Sequence, residues 1–165
     1  MKQFKNLIFE LRNKIITLDC NILLLLIIGS IDKKHIGLFK RTQMFSEEDY
    51  DYLLQLIMQS QIILTPNVIT EASNLLESYD YGREKLGLIL LKNICEKFPE
   101  SYEQSKILAN NTAFLKYGLS DSSIANLCKV GAIAITIDLN LYGFLVGNNF
   151  KAINFNHVRS LYLLN

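Results

Sequence analysis

Two short runs of β-branched and apolar residues constrain the fold of this chain more than any other feature of its sequence. Residues 15–19 (IITLD) and 132–136 (AIAIT) show the pattern of strands buried on both faces of a parallel sheet. Segments with helical patterns separate these runs from two further predicted strands, at residues 62–64 and 151–155. The sequence therefore predicts a three-layer α/β/α fold around a short, mainly parallel central sheet of four or five strands.

The segments between the predicted strands carry signals for helix starts. Ser46 and Asp49 have the spacing of a capping box, which predicts a helix that runs to about Ser60. Thr65 followed by Pro66 predicts a second helix, because proline is favoured at the first helical position. Further helices are predicted over residues 83–98, 100–117, 121–130 and 139–146.

Composition favours a single globular domain over residues 1–165. Half of the residues are apolar or aromatic and 20% are charged, which excludes a disordered chain. The most apolar stretch, residues 22–28, is well short of the ~20 apolar residues that a bilayer requires, so we expect it in the core and expect no membrane contact. The three cysteines fit neither a disulfide framework nor a zinc site, and the N-terminus lacks a secretion signal. We therefore expect a cytoplasmic protein.

Two aspartates follow predicted strands. Asp19 closes the first run, and Asp138 lies two residues after Thr136, which ends another run. In an open parallel sheet, ligands bind outside the carboxyl ends of the strands, so acids at these ends have a functional interpretation. Each aspartate also has a structural interpretation, as the cap of the helix that follows it.

Glu71 and Asp121 lie on predicted helices near the same edge of the sheet. At ~100° per residue, Glu71 lies about 80° from the centre of an apolar stripe that includes Val68, at the flank of the buried face. Asp121 flanks the stripe of its own helix in the same way. The structural alternatives are a boundary residue for Glu71 and a favourable charge at a helix start for Asp121. We expect all four acids to meet at one edge.

Four carboxylates that meet repel one another unless a cation neutralises them. Oxygen ligands in a chain with few histidines favour Mg²⁺ or Mn²⁺. Such an ion can clamp a phosphodiester, polarise it and lower the pKa of a bound water. When these four acids are set aside, the 16 acidic residues fall to 12, against 17 basic ones. This surplus of positive charge attracts a phosphate backbone.

Four short motifs contain these acids, at residues 18–23 (LDCNIL), 65–71 (TPNVITE), 119–124 (LSDSSI) and 135–141 (ITIDLNL). In this order and spacing they resemble the PIN domain, a metal-dependent ribonuclease module. That module occurs in the toxin components of toxin–antitoxin pairs and in RNA-processing nucleases. The resemblance covers nearly the whole chain and implies the PIN fold for it.

The resemblance also implies roles for individual residues. Asp19, Asp121 and Asp138 would bind the metal, and Glu71 would be a ligand through water or would orient the nucleophile; all four are the expected catalytic residues. Residues that would support the site by hydrogen bonding or capping are Asn21, Thr136 and Ser120. Many PIN domains have a further acid where this chain has Asn140, so we expect at least one ion.

A basic insert at about residues 29–45 is less typical of a minimal PIN domain. We interpret it as an arm that guides RNA beside the site, in which Lys and Arg meet phosphates and Phe39 or His35 stacks on a base. The alternative is a solvated loop. The residues that we expect to contact RNA are Lys33, Lys34, His35, Lys40 and Arg41.

The predicted function is that of an endoribonuclease that uses Mg²⁺ or Mn²⁺ to hydrolyse RNA, either as a toxin or in RNA processing. One alternative is a PIN-like binding module whose acidic pocket receives an arginine from a partner. Another is a haloacid dehalogenase-type phosphatase with Asp19 as nucleophile, although Asn21 cannot replace its second acid. The resemblance implies an antitoxin-like protein partner. A surplus of apolar residues at 86–91 favours a homodimer.

Overall fold

The computed structural model describes residues 2–80, 82 and 84–163. Four strands form the sheet in this part of the chain: β1 (Ile15–Leu18), β2 (Gln61–Ile62), β3 (Ile133–Thr136) and β4 (Ala152–Asn154). They lie in the order β2-β1-β3-β4, and every neighbouring pair is parallel. The predicted α/β fold with a short parallel sheet is therefore confirmed.

Helices make up most of the remaining described residues. In chain order they are α1 (Lys2–Leu11), α2 (Cys20–Ile31), α3 (Glu47–Ile57), α4 (Pro66–Asp80), α5 (Leu86–Lys97), α6 (Ser105–Ala109), α7 (Phe114–Lys129), α8 (Leu139–Gly147) and α9 (Phe155–Leu163). A 3₁₀ turn, Lys33–His35, follows α2. Among the described helices, none has both the length and the apolar character that crossing a membrane requires.

The connections between strands place helices on both faces of the sheet. The chain passes from β1 to β2 in one direction across the sheet and from β2 to β3 in the other. Because parallel crossovers are right-handed, α2 of the first connection and α7 of the second lie on opposite faces. Accordingly α2 packs on β1 and β3, while α7 packs on the same two strands and on α8. This arrangement gives the three-layer α/β/α architecture.

The apolar stretch at residues 22–28 forms the centre of the core as part of α2. All seven of these residues are buried, because the sheet, α3, α4 and α5 surround the helix. Gly29 extends this close packing: a Cβ atom at that position would lie 2.2 Å from Cδ2 of the Tyr50 ring on α3. The absence of a side chain at Gly29 therefore lets α2 and α3 approach each other.

Two predicted helix starts are confirmed in detail. The capping box of α3 is complete, since the Ser46 amide donates to Asp49 Oδ2 at 2.8 Å and the Asp49 amide donates to Ser46 Oγ at 3.3 Å. Pro66 is the first residue of α4, as predicted. These starts are local features, set by side chains within one turn of the chain.

The helix predicted over residues 100–117 is wrong in its first half. The Leu64 amide donates to the Pro99 carbonyl, and the Ser101 amide donates to the Leu64 carbonyl, so residues 99–101 run beside the end of β2. This pairing removes the chain from helical geometry until α6. Ser120 is not the N-cap of the helix predicted over residues 121–130 either: α7 consists of two helical pieces that meet at Gly118, whose backbone is non-helical (φ 79°, ψ −168°), and Ser120 lies inside the second piece.

The helix predicted over residues 83–98 begins at Leu86 in the structure, and Arg83 lies outside the described residues. The start of this helix, α5, is capped by the last residue of the preceding helix. Asp80, at the end of α4, accepts hydrogen bonds from the amides of Gly87 at 2.7 Å and Leu88 at 3.0 Å. Helix α5 packs on both α2 and α4. Its apolar residues are buried to different extents, and Ile89 is 49% exposed.

The segment at residues 32–45 is held by buried side chains and is not a solvated loop. Ile36, Phe39, Thr42 and Phe45 are all buried. The Thr42 hydroxyl donates to the Ile36 carbonyl at 2.8 Å, which closes the turn. Phe39 packs edge-on against Tyr79 of α4, with ring centroids 5.4 Å apart. Phe39 is therefore a core residue, and the expectation that it stacks on a base is wrong.

The C-terminal helix α9 fastens the end of this segment through Arg159. Its Nε lies 3.0 Å from the carboxylate of Asp49, which is buried at the start of α3. Arg159 also donates to the Met44 carbonyl at 2.7 Å, and its guanidinium lies over the Phe45 ring. One arginine thus joins α9, α3 and the end of the basic segment.

Replacing Arg159 with Ala is expected to destabilise the protein by about 2–3 kcal/mol, because the Asp49 carboxylate stays buried without its cation. This is less than the ~3–5 kcal/mol for a fully buried pair, since the Arg159 side chain is 25% exposed. Urea unfolding measures the change. Lys92→Ala, which breaks the exposed Lys92–Glu96 pair, is the control and should cost under ~0.5 kcal/mol. Equal losses in the two variants would contradict the assignment.

Candidate active site

The ends of β1 and β3 bring Asp19 and Asp138 together. Leu18 pairs with Ile135 in the parallel ladder, so Asp19 lies level with Thr136 at the carboxyl edge. The Thr136 hydroxyl donates to Asp19 Oδ2, which also accepts from the Ile137 amide at 3.2 Å. The same hydroxyl oxygen accepts from the Asp138 amide at 2.9 Å. Thr136 therefore links both aspartates at the point where the connections from β1 and β3 diverge.

Both aspartates also cap helices, so the structural interpretation is confirmed, and it is compatible with the functional one. Asp19 Oδ1 accepts from the Ile22 amide at 2.8 Å at the start of α2. Asp138 Oδ1 accepts from the amides of Asn140 at 2.6 Å and Leu141 at 3.1 Å at the start of α8. Two helix N-termini consequently point at this edge, where their dipoles stabilise negative charge.

Asp121 and Glu71 approach the same edge from α7 and α4. Burial raises the pKa of Asp121 to about 7, and repulsion from Asp138, Asp19 and Glu71 adds to the increase. Burial raises the pKa of Asp19 to about 6, although its three hydrogen bonds oppose the shift and Asp138 adds to it. The structure therefore brings all four predicted acids into electrostatic contact.

The pKa of the Cys20 thiol is also affected by these acids. This thiol is buried beside Asp19, and burial raises its pKa strongly. Glu71, Asp19 and Asp121 raise the pKa further, whereas Arg41 lowers it. The basic segment thus brings the guanidinium of Arg41 close enough to affect a group at the centre of the acidic edge.

The carboxylate oxygens suit a hard divalent cation by type. Among the described residues no ion pair involves the four acids, and both oxygens of Asp121 and of Glu71 lack hydrogen-bond donors. Asp138 Oδ2 is similarly open, since its cap bonds use Oδ1. In the described part of the chain, however, no three His, Cys, Asp or Glu side chains are arranged to hold a metal ion. The donor set fits Mg²⁺ or Mn²⁺, and its carboxylates do not converge on one point.

The predicted supporting residues differ in their surroundings. Thr136 makes the hydrogen bonds already described. Asn21 lies half-buried in the first turn of α2 and has no side-chain hydrogen bond within the described residues. The Ser120 carbonyl accepts from Ser123 Oγ at 2.6 Å. Of the three residues, Thr136 is the one whose side chain bonds to a candidate acid.

Two polar residues at strand ends were missed by sequence reasoning. Thr65, after β2, shares a 2.7 Å hydrogen bond with Ser123 of α7, the helix of Asp121. Asn154 ends β4 opposite Thr136 and is buried, with Oδ1 accepting from the Asn156 amide and Nδ2 lacking a partner among the described residues. A polar residue directly after an apolar run was the available signal in both cases.

The predicted RNA contacts fall into two groups. Lys33 Nζ lies 2.5 Å from Asp51, and His35 Nδ1 lies 2.7 Å from the Tyr79 hydroxyl, so these two side chains hold the segment to α3 and α4. The side chains that remain exposed and without ion pairs in the described structure are Lys34, Lys40 and Arg41.

A cleft also lies beside Glu71. The cleft has a volume of about 320 Å³ and lies between α4 and the kinked part of α7. The buried carboxylate of Asp19, the two helix N-termini and the cleft beside Glu71 are therefore the features of this edge that bear on ligand binding. No protein-family model and no curated protein sequence matches this chain.

Without divalent cations, Asp121→Asn is expected to stabilise the protein near neutral pH. The pKa of Asp121 is about 7 in the folded protein and near ~4 in an unfolded chain, so the folded state binds the proton more tightly. Its contribution is complete below pH ~4 and is lost as the pH rises through ~7. The wild-type Tm should therefore fall more than the Tm of the variant over this pH range. Each kcal/mol lost from the free energy of unfolding lowers Tm by roughly 2–4 °C.

Circular dichroism melts in EDTA between about pH 4 and 8 measure this difference. Glu77→Gln, an exposed change on α4, is the control and should follow the wild-type curve. Parallel curves for wild type and Asp121→Asn would show that Asp121 does not bear the predicted repulsion.

Proposed function

We propose that this protein is a metal-dependent endoribonuclease with a PIN-type active site at the carboxyl edge of its sheet. The observation that carries the proposal is the linkage of Asp19 and Asp138 through Thr136, with Asp121 and Glu71 in electrostatic contact. These are the acids to which the PIN resemblance assigns metal binding and catalysis. The mutual repulsion of these acids supports the binding of a cation that neutralises them.

In this proposal Asp19, Asp121 and Asp138 hold Mg²⁺ or Mn²⁺. A bound ion of this kind polarises a phosphodiester and lowers the pKa of water. Thr136 positions Asp19 by its hydrogen bond, and the helix N-termini of α2 and α8 fix the two capping carboxylates. Glu71 has both oxygens open and stands beside the cleft, where it would orient a water or bind the ion through one.

The exposed cations of the basic segment support a nucleic-acid substrate. Lys34, Lys40 and Arg41 are exposed on a segment anchored at Tyr79, Asp51 and Arg159, and the charge of Arg41 is close enough to the acidic edge to lower the pKa of Cys20. Ordered cations next to a metal site bind phosphates at lower entropic cost than mobile ones. We assign to them the binding of the RNA backbone.

The PIN resemblance carries further proposals about context. We propose action on RNA in the cytoplasm, with a small antitoxin-like protein as a neutralising partner and a homodimer as the assembly. The half-exposed Ile89 on α5 agrees with a contact between copies. An arginine from the partner would pair with the acids that lack ion pairs in the described structure.

Purified protein is expected to cleave single-stranded RNA with Mg²⁺ or Mn²⁺ and to stop in EDTA. Asp19→Asn and Asp121→Asn should each lower the rate at least ~100-fold, because loss of a ligand removes several kcal/mol of metal-derived stabilisation. Glu71→Gln should also reduce cleavage, whereas Glu77→Gln, on the same helix but away from the cleft, should not. Gel analysis of labelled RNA gives the rates.

Three other outcomes would decide against this function. Cleavage at the wild-type rate by Asp121→Asn would identify a contaminant. No cleavage of varied RNAs with either ion would favour a binding module. Trapping of modified Asp19 by beryllofluoride would favour a phosphatase.

Arg41→Ala is expected to weaken RNA binding severalfold and to lower the salt dependence of log K by about 0.7, the value for one lost phosphate contact to a single strand. Lys33→Ala should change both quantities less, because Asp51 already neutralises Lys33. Fluorescence anisotropy at several salt concentrations, in the inactive Asp121→Asn background, provides the comparison. An equal or larger effect of Lys33→Ala would show that the arm does not present Arg41 to RNA.

A further inference from the structure

The helix that carries Glu71 has a second polar face with no assigned role. Asn67, Thr70, Glu71 and Asn74 follow the spacing i, i+3, i+4 and i+7, which groups them within roughly 100° of the helix circumference. The buried residues of α4 lie on the other side of the helix; they are Val68, Ala72, Leu76 and Tyr79. The polar face therefore takes no part in packing the core.

This polar face, which includes Glu71, forms one wall of the cleft described above. Leu119 and Ser120, from the kinked part of α7, form the opposite wall. From Asn67 to Asn74 the helix rises about 10 Å, a length that corresponds to roughly three stacked nucleotides at ~3.4 Å each. A strand bound at Glu71 therefore has neighbouring nucleotides within reach of both asparagines.

The hydrogen-bonding groups on this face are open. Within the described residues the side chains of Asn67, Thr70 and Asn74 have no hydrogen-bond partner. Asn67 is half-buried, and the other two are exposed. Each amide offers a donor and an acceptor side by side, and none of the three side chains is charged. Uncharged amide and hydroxyl groups distinguish ligands by the positions of hydrogen-bond donors and acceptors more than by electrostatic attraction to phosphate.

Unpaired RNA exposes the base edges that amides match. Asparagine pairs in bidentate fashion with the N6 and N7 atoms of adenine, and in single strands this edge is accessible. We propose that Asn67 and Asn74 read bases next to the cleavage site and select single-stranded RNA with an adenine within about three nucleotides of the cut. The inference rests on the proposed ribonuclease function and adds its substrate class.

The test is cleavage of a randomised single-stranded RNA pool by the full-length protein, with sequencing of the cut ends. Wild type should favour adenine within about three nucleotides of the cut. Asn67→Ala or Asn74→Ala should reduce this preference about fivefold or more, the effect of losing a bidentate pair. Asn6→Ala, an exposed change on α1, should match wild type.

A second measurement separates base reading from catalysis. In the Asp121→Asn background, short oligoadenylate should bind more tightly than oligocytidylate, and Asn67→Ala should remove the difference. Cleavage by wild type without adenine preference, or with a preference that both variants retain, would overturn the inference and leave the ribonuclease intact. Absence of both cleavage and RNA binding in wild type would refute the proposed function itself.

Discussion

The parallel pairing of β1 with β3 is the constraint on which the candidate site depends. Leu18 opposite Ile135 places Asp19 level with Thr136, and the Thr136 hydroxyl then links Asp19 to the backbone of Asp138. A slip of the register by one residue would turn alternate side chains to the other face of the sheet and separate these groups. The core serves the same end, because the apolar residues of α2 fix the strand pair from one side.

Burial gives the acidic edge its chemical character. Asp19 is buried and retains three hydrogen bonds that favour its charged form, so desolvation raises its pKa only to about 6. Asp121 is less buried but has no donor among the described residues, and three neighbouring acids repel its charge, so its pKa reaches about 7. Stabilising hydrogen bonds and an unrelieved repulsion thus coexist within one cluster. The cation that we propose would relieve the repulsion without breaking the bonds that hold Asp19.

The basic segment shows how a surface arm acquires a fixed position. Buried Thr42 and Phe39 fasten its interior, and Arg159 of α9 fastens its end to the buried Asp49. Lys33 and His35, which the sequence suggested as RNA contacts, instead join the segment to α3 and α4. Fewer cations therefore remain exposed for a ligand than the charge pattern implied.

The sequence by itself determined the class of fold, the strands that carry Asp19 and Asp138, and the local caps at Ser46 and Pro66. These features follow from periodicity and from contacts within a turn or two of the chain. Only the tertiary structure decided the path of residues 99–101, where pairing with Leu64 overrides the helical pattern. The tertiary structure also decided which basic side chains of the segment at residues 32–45 pair with an acidic side chain. Such outcomes depend on groups far apart in sequence, whose approach is a property of the packed fold and leaves no local pattern.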